Sequence, residues 1–138
     1  MNGVQILELL GRDPETIAKC WGVYARDRLP PDVPVDRFCI CNTDSWKKAG
    51  KHWILIYFPP DGVTEFFDPL GNKPSAEFVP FMGENYVYNT QRYQPLNSNS
   101  CALYCIFFAY MKCRGLLFQT VLGFLDKEKN VVRFVHNM

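Results

Sequence analysis

Almost no net charge is left in this sequence. Its 15 lysines and arginines face 14 aspartates and glutamates, for a balance of +1, so nothing in the charge points to a nucleic-acid or membrane partner. The densest basic runs, Lys47-Lys48 with Lys51 and Lys127 with Lys129, are short enough to be solvated faces. No apolar run approaches the roughly 20 residues that span a bilayer. The first ten residues carry no basic stretch, and Glu8 interrupts their apolar positions, so no secretory signal is expected. Histidine is scarce as well: there are two, and the cysteine spacing follows no zinc pattern, so no metal site is expected. Internal repeats and low-complexity tracts are lacking. Without an export signal, the six cysteines read as reduced thiols and not as a disulfide framework.

What is present is ample material for a core. With 138 residues, 48% of them hydrophobic and 15% aromatic, the chain suits one compact domain over residues 1–138. Residues 4–10 read as a short helix ended by Gly11. Asp13-Pro14-Glu15 then supplies an N-cap and a first-turn proline for a second short helix to about Cys20. Residues 29–34 hold three prolines and must be extended or turning. Arg37–Asn42, His52–Phe58 and Val63–Asp68 are strand candidates. The second is almost continuously apolar, as a strand buried on both faces would be. Pro59–Gly62 is a short hairpin connection, so the strands beside it should pair antiparallel. Residues 86–93 have strand composition.

Asn97-Ser98-Asn99-Ser100 is a capping cluster, and from Cys101 to about Cys113 apolar positions recur at helical spacing on most faces, which predicts a buried helix closed by Gly115. Residues 117–129 predict a further amphipathic helix, and residues 131–135 fit strand or helix. The expected fold is α+β: a central sheet packed on a buried helix that begins at Cys101.

One constellation carries chemistry. A thiol at a helix N-terminus lies where free N–H groups and the macrodipole favour the thiolate. Taken alone, Cys101 also reads as a small buried hydrophobe. However, His52 opens one strand of the hairpin and Asp68 ends the other, so a base and an orienting acid can be neighbours at the sheet edge. Gln94, seven residues before Cys101, could donate with the Cys101 N–H to the oxyanion of a tetrahedral intermediate. His136, near the end of the sequence, is a poor catalytic candidate.

Gly50-Lys-His-Trp-Ile54, Phe66-Phe-Asp-Pro-Leu-Gly71 and Gln94-Pro-Leu-Asn-Ser-Asn-Ser-Cys101-Ala-Leu-Tyr-Cys105 resemble, in this order, the motifs of the adenovirus-protease (adenain-like) family. That order, His–acid–Gln–Cys, is shared with SUMO-specific proteases. The stretch from Cys20-Trp-Gly-Val-Tyr24 through Asn42-Thr43 resembles the family's N-terminal region, and the terminal His136-Asn-Met resembles its C-terminus. The resemblance implies a cysteine protease with His52 as base, Asp68 as orienting acid, Cys101 as nucleophile and Gln94 in the oxyanion hole. Trp53 and Ala102, next to the base and the nucleophile, are the candidate substrate contacts.

Three residue features depart from the pattern. Asp68 stands where the family has glutamate, and Ala102 where it has glycine. Residues 42–100 lack the cysteine through which the family's activating peptide is joined. No cofactor is required by the sequence; the resemblance allows an activating peptide or DNA. The implied substrates are protein precursors of a viral capsid or core, cut near glycine by a monomer in the virion or in the host nucleus or cytoplasm. The alternatives are an isopeptidase acting on ubiquitin-like modifiers, and a binding module of the same fold with impaired catalysis.

Overall fold

The computed structural model describes residues 1–44 and 52–138; the motif residues Gly50 and Lys51 and the basic run at 47–51 lie outside them. The architecture is α+β, as the sequence predicts. In chain order the elements are α1 (Gly3–Leu10), α2 (Pro14–Ala18), β1 (Cys20–Ala25), β2 (Arg37–Asn42), β3 (Trp53–Phe58), β4 (Thr64–Phe67), α3 (Val79–Met82), β5 (Tyr86–Tyr88), α4 (Cys101–Lys112), α5 (Phe118–Leu122) and α6 (Glu128–His136). The strands form one sheet in the order β1-β2-β3-β4-β5. Both outer pairs are parallel, and β2-β3-β4 is antiparallel.

Alternation in the two central strands splits the core. Phe38 and Ile40 of β2, with Trp53, Leu55 and Tyr57 of β3, face the layer that holds α4. Cys39, Cys41, Ile54, Ile56 and Phe58 point to the other face, where Phe66, Phe78 and Met82 cover them. Every residue of β3 is buried, which explains its unbroken apolar run. Helix α4 is also buried from Cys101 through Ala109. Phe108 of α4 stacks on Phe67 of β4, 4.4 Å between ring centroids, and so fixes the helix against the end of the hairpin.

The short helices form where capping chemistry favours them. Asn2 and Gln5 make a reciprocal capping box on α1, and the Asp13 carboxylate accepts from the Thr16 N–H at the start of α2.

The structure corrects three sequence expectations and resolves one that was open. Strand β1 lies where only the end of a helix was expected; Lys19 caps α2, and Cys20 starts the strand that lies parallel to β2. The strand expected over 86–93 stops at Tyr88, because Asn89 turns its amide onto the backbone of Asp68 instead of continuing the ladder. The helix expected over 117–129 breaks after Leu122: Gly123 caps it, and the fully buried Leu125 is drawn into the core. The next helix, α6, takes in residues 131–135, resolving them as helical.

Candidate active site

The hairpin β3–β4 pairs Leu55 with Phe67 and Ile56 with Phe66, so the start of β3 lies beside the end of β4. His52 immediately precedes β3, tied to β2 by its carbonyl, which accepts from the Thr43 N–H at 2.9 Å. Asp68 immediately follows β4. The two side chains meet: His52 Nε2 lies 2.6 Å from Asp68 Oδ1, with the imidazole 15% and the carboxylate 5% exposed. Asp68 Oδ1 also accepts from the Leu70 N–H at 2.8 Å. These bonds hold the carboxylate inside its own Asp-Pro-Leu-Gly turn.

Glycine closes that turn for a steric reason. Gly71 has φ +76°, and a Cβ there would lie 2.8 Å from the backbone carbon of Gln91. The turn also reaches Gln94. The Pro69 carbonyl accepts from the N–H groups of both Tyr93 and Gln94, at 2.8 and 3.0 Å, so the acid's turn and the Gln94 loop form one backbone unit.

Cys101 is the first residue of α4 and is 4% exposed. Burial pushes its thiol pKa up. A hydrogen bond with His52, the backbone N–H groups of Trp53 and Ala102, and the imidazole's charge outweigh that and bring it below the ordinary thiol value. His52 mirrors this. Burial disfavours its cation, but the hydrogen bond to Asp68, the bond to Cys101 and both negative charges raise its pKa to about 9. With Nε2 on Asp68, the imidazole has Nδ1 for Cys101. The geometry suits an imidazolium–thiolate pair oriented by a carboxylate.

The other thiols lack this environment. Burial pushes Cys20 and Cys113 up to about 11, and Cys39 and Cys105 well above the ordinary value. His136 lies on α6, far along the chain from this constellation. Among the described residues no group of three His, Cys, Asp or Glu is placed to hold a metal ion, and no helix is long and apolar enough to cross a membrane.

Gln94 is 3% exposed; its Nε2 donates to the Ser98 carbonyl at 2.8 Å, and its Oε1 is buried without a partner. One of its two amide hydrogens is therefore engaged in shaping the loop that leads to Cys101. Trp53 is 7% exposed and packs in the core, where its indole N–H donates to the Met1 carbonyl at 3.0 Å. Its contribution at Cys101 is its backbone N–H, not an exposed ring. Ala102 is 1% exposed, and its residue lines a cleft of about 510 Å³ together with Met1, Pro95, Ser98, Ser100 and Glu128. On the His52 and Asp68 side lies a second cavity of about 370 Å³, bordered by Thr43, Ile54, Phe66 and Lys73.

Two features were not legible beforehand. Ser100 holds the N-cap position of α4, yet its side chain does not cap the helix; its hydroxyl donates to Glu128 Oε2 at 2.8 Å. Asn89, 3% exposed, accepts from the Asp68 N–H at 2.9 Å and donates to the Asp68 carbonyl at 2.6 Å. The one available signal for Asn89 was asparagine itself, a poor strand residue inside an otherwise β-prone run.

No family model matches the chain. In sequence it is similar to the protease of Snake adenovirus serotype 1, 32% identical over 103 residues covering 60% of this chain and 51% of that protein. It is also similar to the proteases of Bovine adenovirus 7, 28% identical over 61% of this chain and 54% of that protein, and of Bovine adenovirus 4, 32% identical over 60% and 51%. The chain thus spans about half the length of the curated relatives it matches. In structure it resembles the crystal structure of an ASFV protease, with a TM-score of 0.56 and 18% identity, covering 72% of this chain and 42% of that one. At that identity the likeness is one of fold. The resemblance read from the order of the motifs is borne out by these matches.

Proposed function

We propose that this relative of the adenovirus proteases is a cysteine endopeptidase. The observation that carries the reading is His52, bonded to Asp68 at 2.6 Å and hydrogen-bonded with Cys101 at the start of α4. The Cys101 thiolate attacks the scissile carbonyl carbon, and negative charge moves to the carbonyl oxygen. The Cys101 N–H and the second amide hydrogen of Gln94 stabilise that oxyanion. Collapse of the intermediate breaks the C–N bond, and the His52 imidazolium gives its proton to the departing amine. This leaves a thioester on Cys101 and a neutral imidazole. His52 then takes a proton from water, the resulting hydroxide attacks the thioester, and the carboxylic acid product leaves as the thiolate returns.

Asp68 is not consumed; it holds the ring and favours its cation. The family likeness supports viral precursor proteins as substrates, cut next to glycine. Turnover of a fluorogenic peptide ending in Gly-Gly, lost in Cys101→Ala, tests this reading. Exclusive reaction with a ubiquitin-like vinyl sulfone would instead assign an isopeptidase, and folded protein inert to both would assign a binding module.

A further inference from the structure

The cleft beside the start of α4 has a chemical character that the catalytic reading does not use. Its walls are mixed: Met1, Pro95, Ala102, Leu103 and Val132 supply apolar surface, and the 97–100 loop lines the rest with polar groups. One carboxylate enters it, that of Glu128, the first residue of α6. An acid at this position commonly faces its own helix's free N–H groups. Here the bond it makes runs across to the start of α4, where Oε2 accepts from Ser100, the residue before Cys101. Among the described residues no lysine, arginine or histidine is paired with Glu128. Its sequence neighbours Lys127 and Lys129 are exposed, and neither lines the cleft.

A half-buried carboxylate with no cationic partner among the described residues, at the wall of a cleft of about 510 Å³ that is part apolar and part polar, matches a long side chain with an apolar stem and a cationic head. We propose that this cleft is the subsite for a lysine or arginine of the protein being cleaved, and that Glu128 determines the preference. This rests on the endopeptidase reading and adds a substrate class to it. Because the cleft adjoins Ser100 and Ala102 on both sides of Cys101 in sequence, the basic residue lies within a few positions of the cut bond.

The test uses internally quenched peptides with a Gly-Gly core, in which each flanking position in turn is Lys, Gln or Glu. Two quantities are read: kcat/KM with the intact protein, and Kd with Cys101→Ala, which reports the subsite even without turnover. At one flanking position Lys should exceed Glu roughly five- to tenfold in both quantities at low salt, the range expected for one partly screened charge pair attracted in one peptide and repelled in the other. Glu128→Gln keeps an acceptor for Ser100 and removes the charge, so the Lys/Glu ratio should fall to about one; Glu128→Lys should invert it. A ratio near one at every position, or an unchanged ratio in Glu128→Gln, overturns the proposal. A Kd preference without any cleavage upholds the subsite and overturns the endopeptidase reading instead.

Discussion

Asn89 grips the backbone of Asp68 from both directions, accepting from its N–H at 2.9 Å and donating to its carbonyl at 2.6 Å. A third bond, from Asn89 Nδ2 to the Gln91 carbonyl at 3.0 Å, ties this grip to the loop that leads on to Gln94. Asp68 is therefore placed by a side chain that is not itself hydrogen-bonded to His52. In Asn89→Ala, a buried donor and a buried acceptor on Asp68 lose their partners. Stability should fall by about 2–4 kcal/mol, and kcat should fall with it as the carboxylate leaves its place beside His52. Urea titration together with the peptide assay measures both, and parental values in both would show that Asn89 is dispensable.

Exchanging Asp68 for asparagine removes the largest influence favouring the His52 cation. Cys101→Ala and His52→Ala should abolish turnover, whereas Asp68→Asn should retain a measurable remainder, since the acid orients and polarises but is not consumed. An Asp68→Asn protein as active as the parent would mean that the orienting group lies elsewhere.

The pH profile follows from the same pair. Turnover needs the Cys101 thiolate, available from a pH below the ordinary thiol value, and the His52 proton, lost at about pH 9. Activity should form a plateau that declines as pH rises through about 9. In Asp68→Asn that upper limb should move to lower pH. The His52 shift, from 6.5 to about 9, also stabilises the fold: its contribution is full below pH about 6.5 and fades as pH climbs through about 9. Kinetics and melting curves across this range check both signs.

Gln94→Ala should lower kcat by about 10²–10³, the usual effect of losing one oxyanion donor. Alkylation of Cys101 should hardly change, because Gln94 is not among the groups that shift its pKa. A parallel loss of both would point to collapse of the loop that Gln94 holds through Ser98.

Strand β2 was legible over its whole length, Arg37–Asn42, and so was the start of α4, because hydrophobic period and turn residues agree there. His52 and Asp68 were legible as neighbours because a short hairpin fixes which strand ends meet. Strand β1 was not: all its residues are half-buried, so it shows neither an apolar run nor clean alternation. Ser100 reads as a cap because serine usually is one; that it turns to Glu128 instead depends on a contact 28 residues away. The packing of Trp53 against Met1 is equally non-local, and no local pattern announces it.

The central claim is that Cys101, activated by His52, is the nucleophile. Its most direct test is mass mapping of the protein after brief exposure, near neutral pH, to a vinyl sulfone carrying a Gly-Gly peptide. A single adduct on Cys101 that disappears in His52→Ala is the predicted result. Labelling of Cys39 or Cys41 in preference to Cys101, or equal labelling of Cys101 with and without His52, would contradict it.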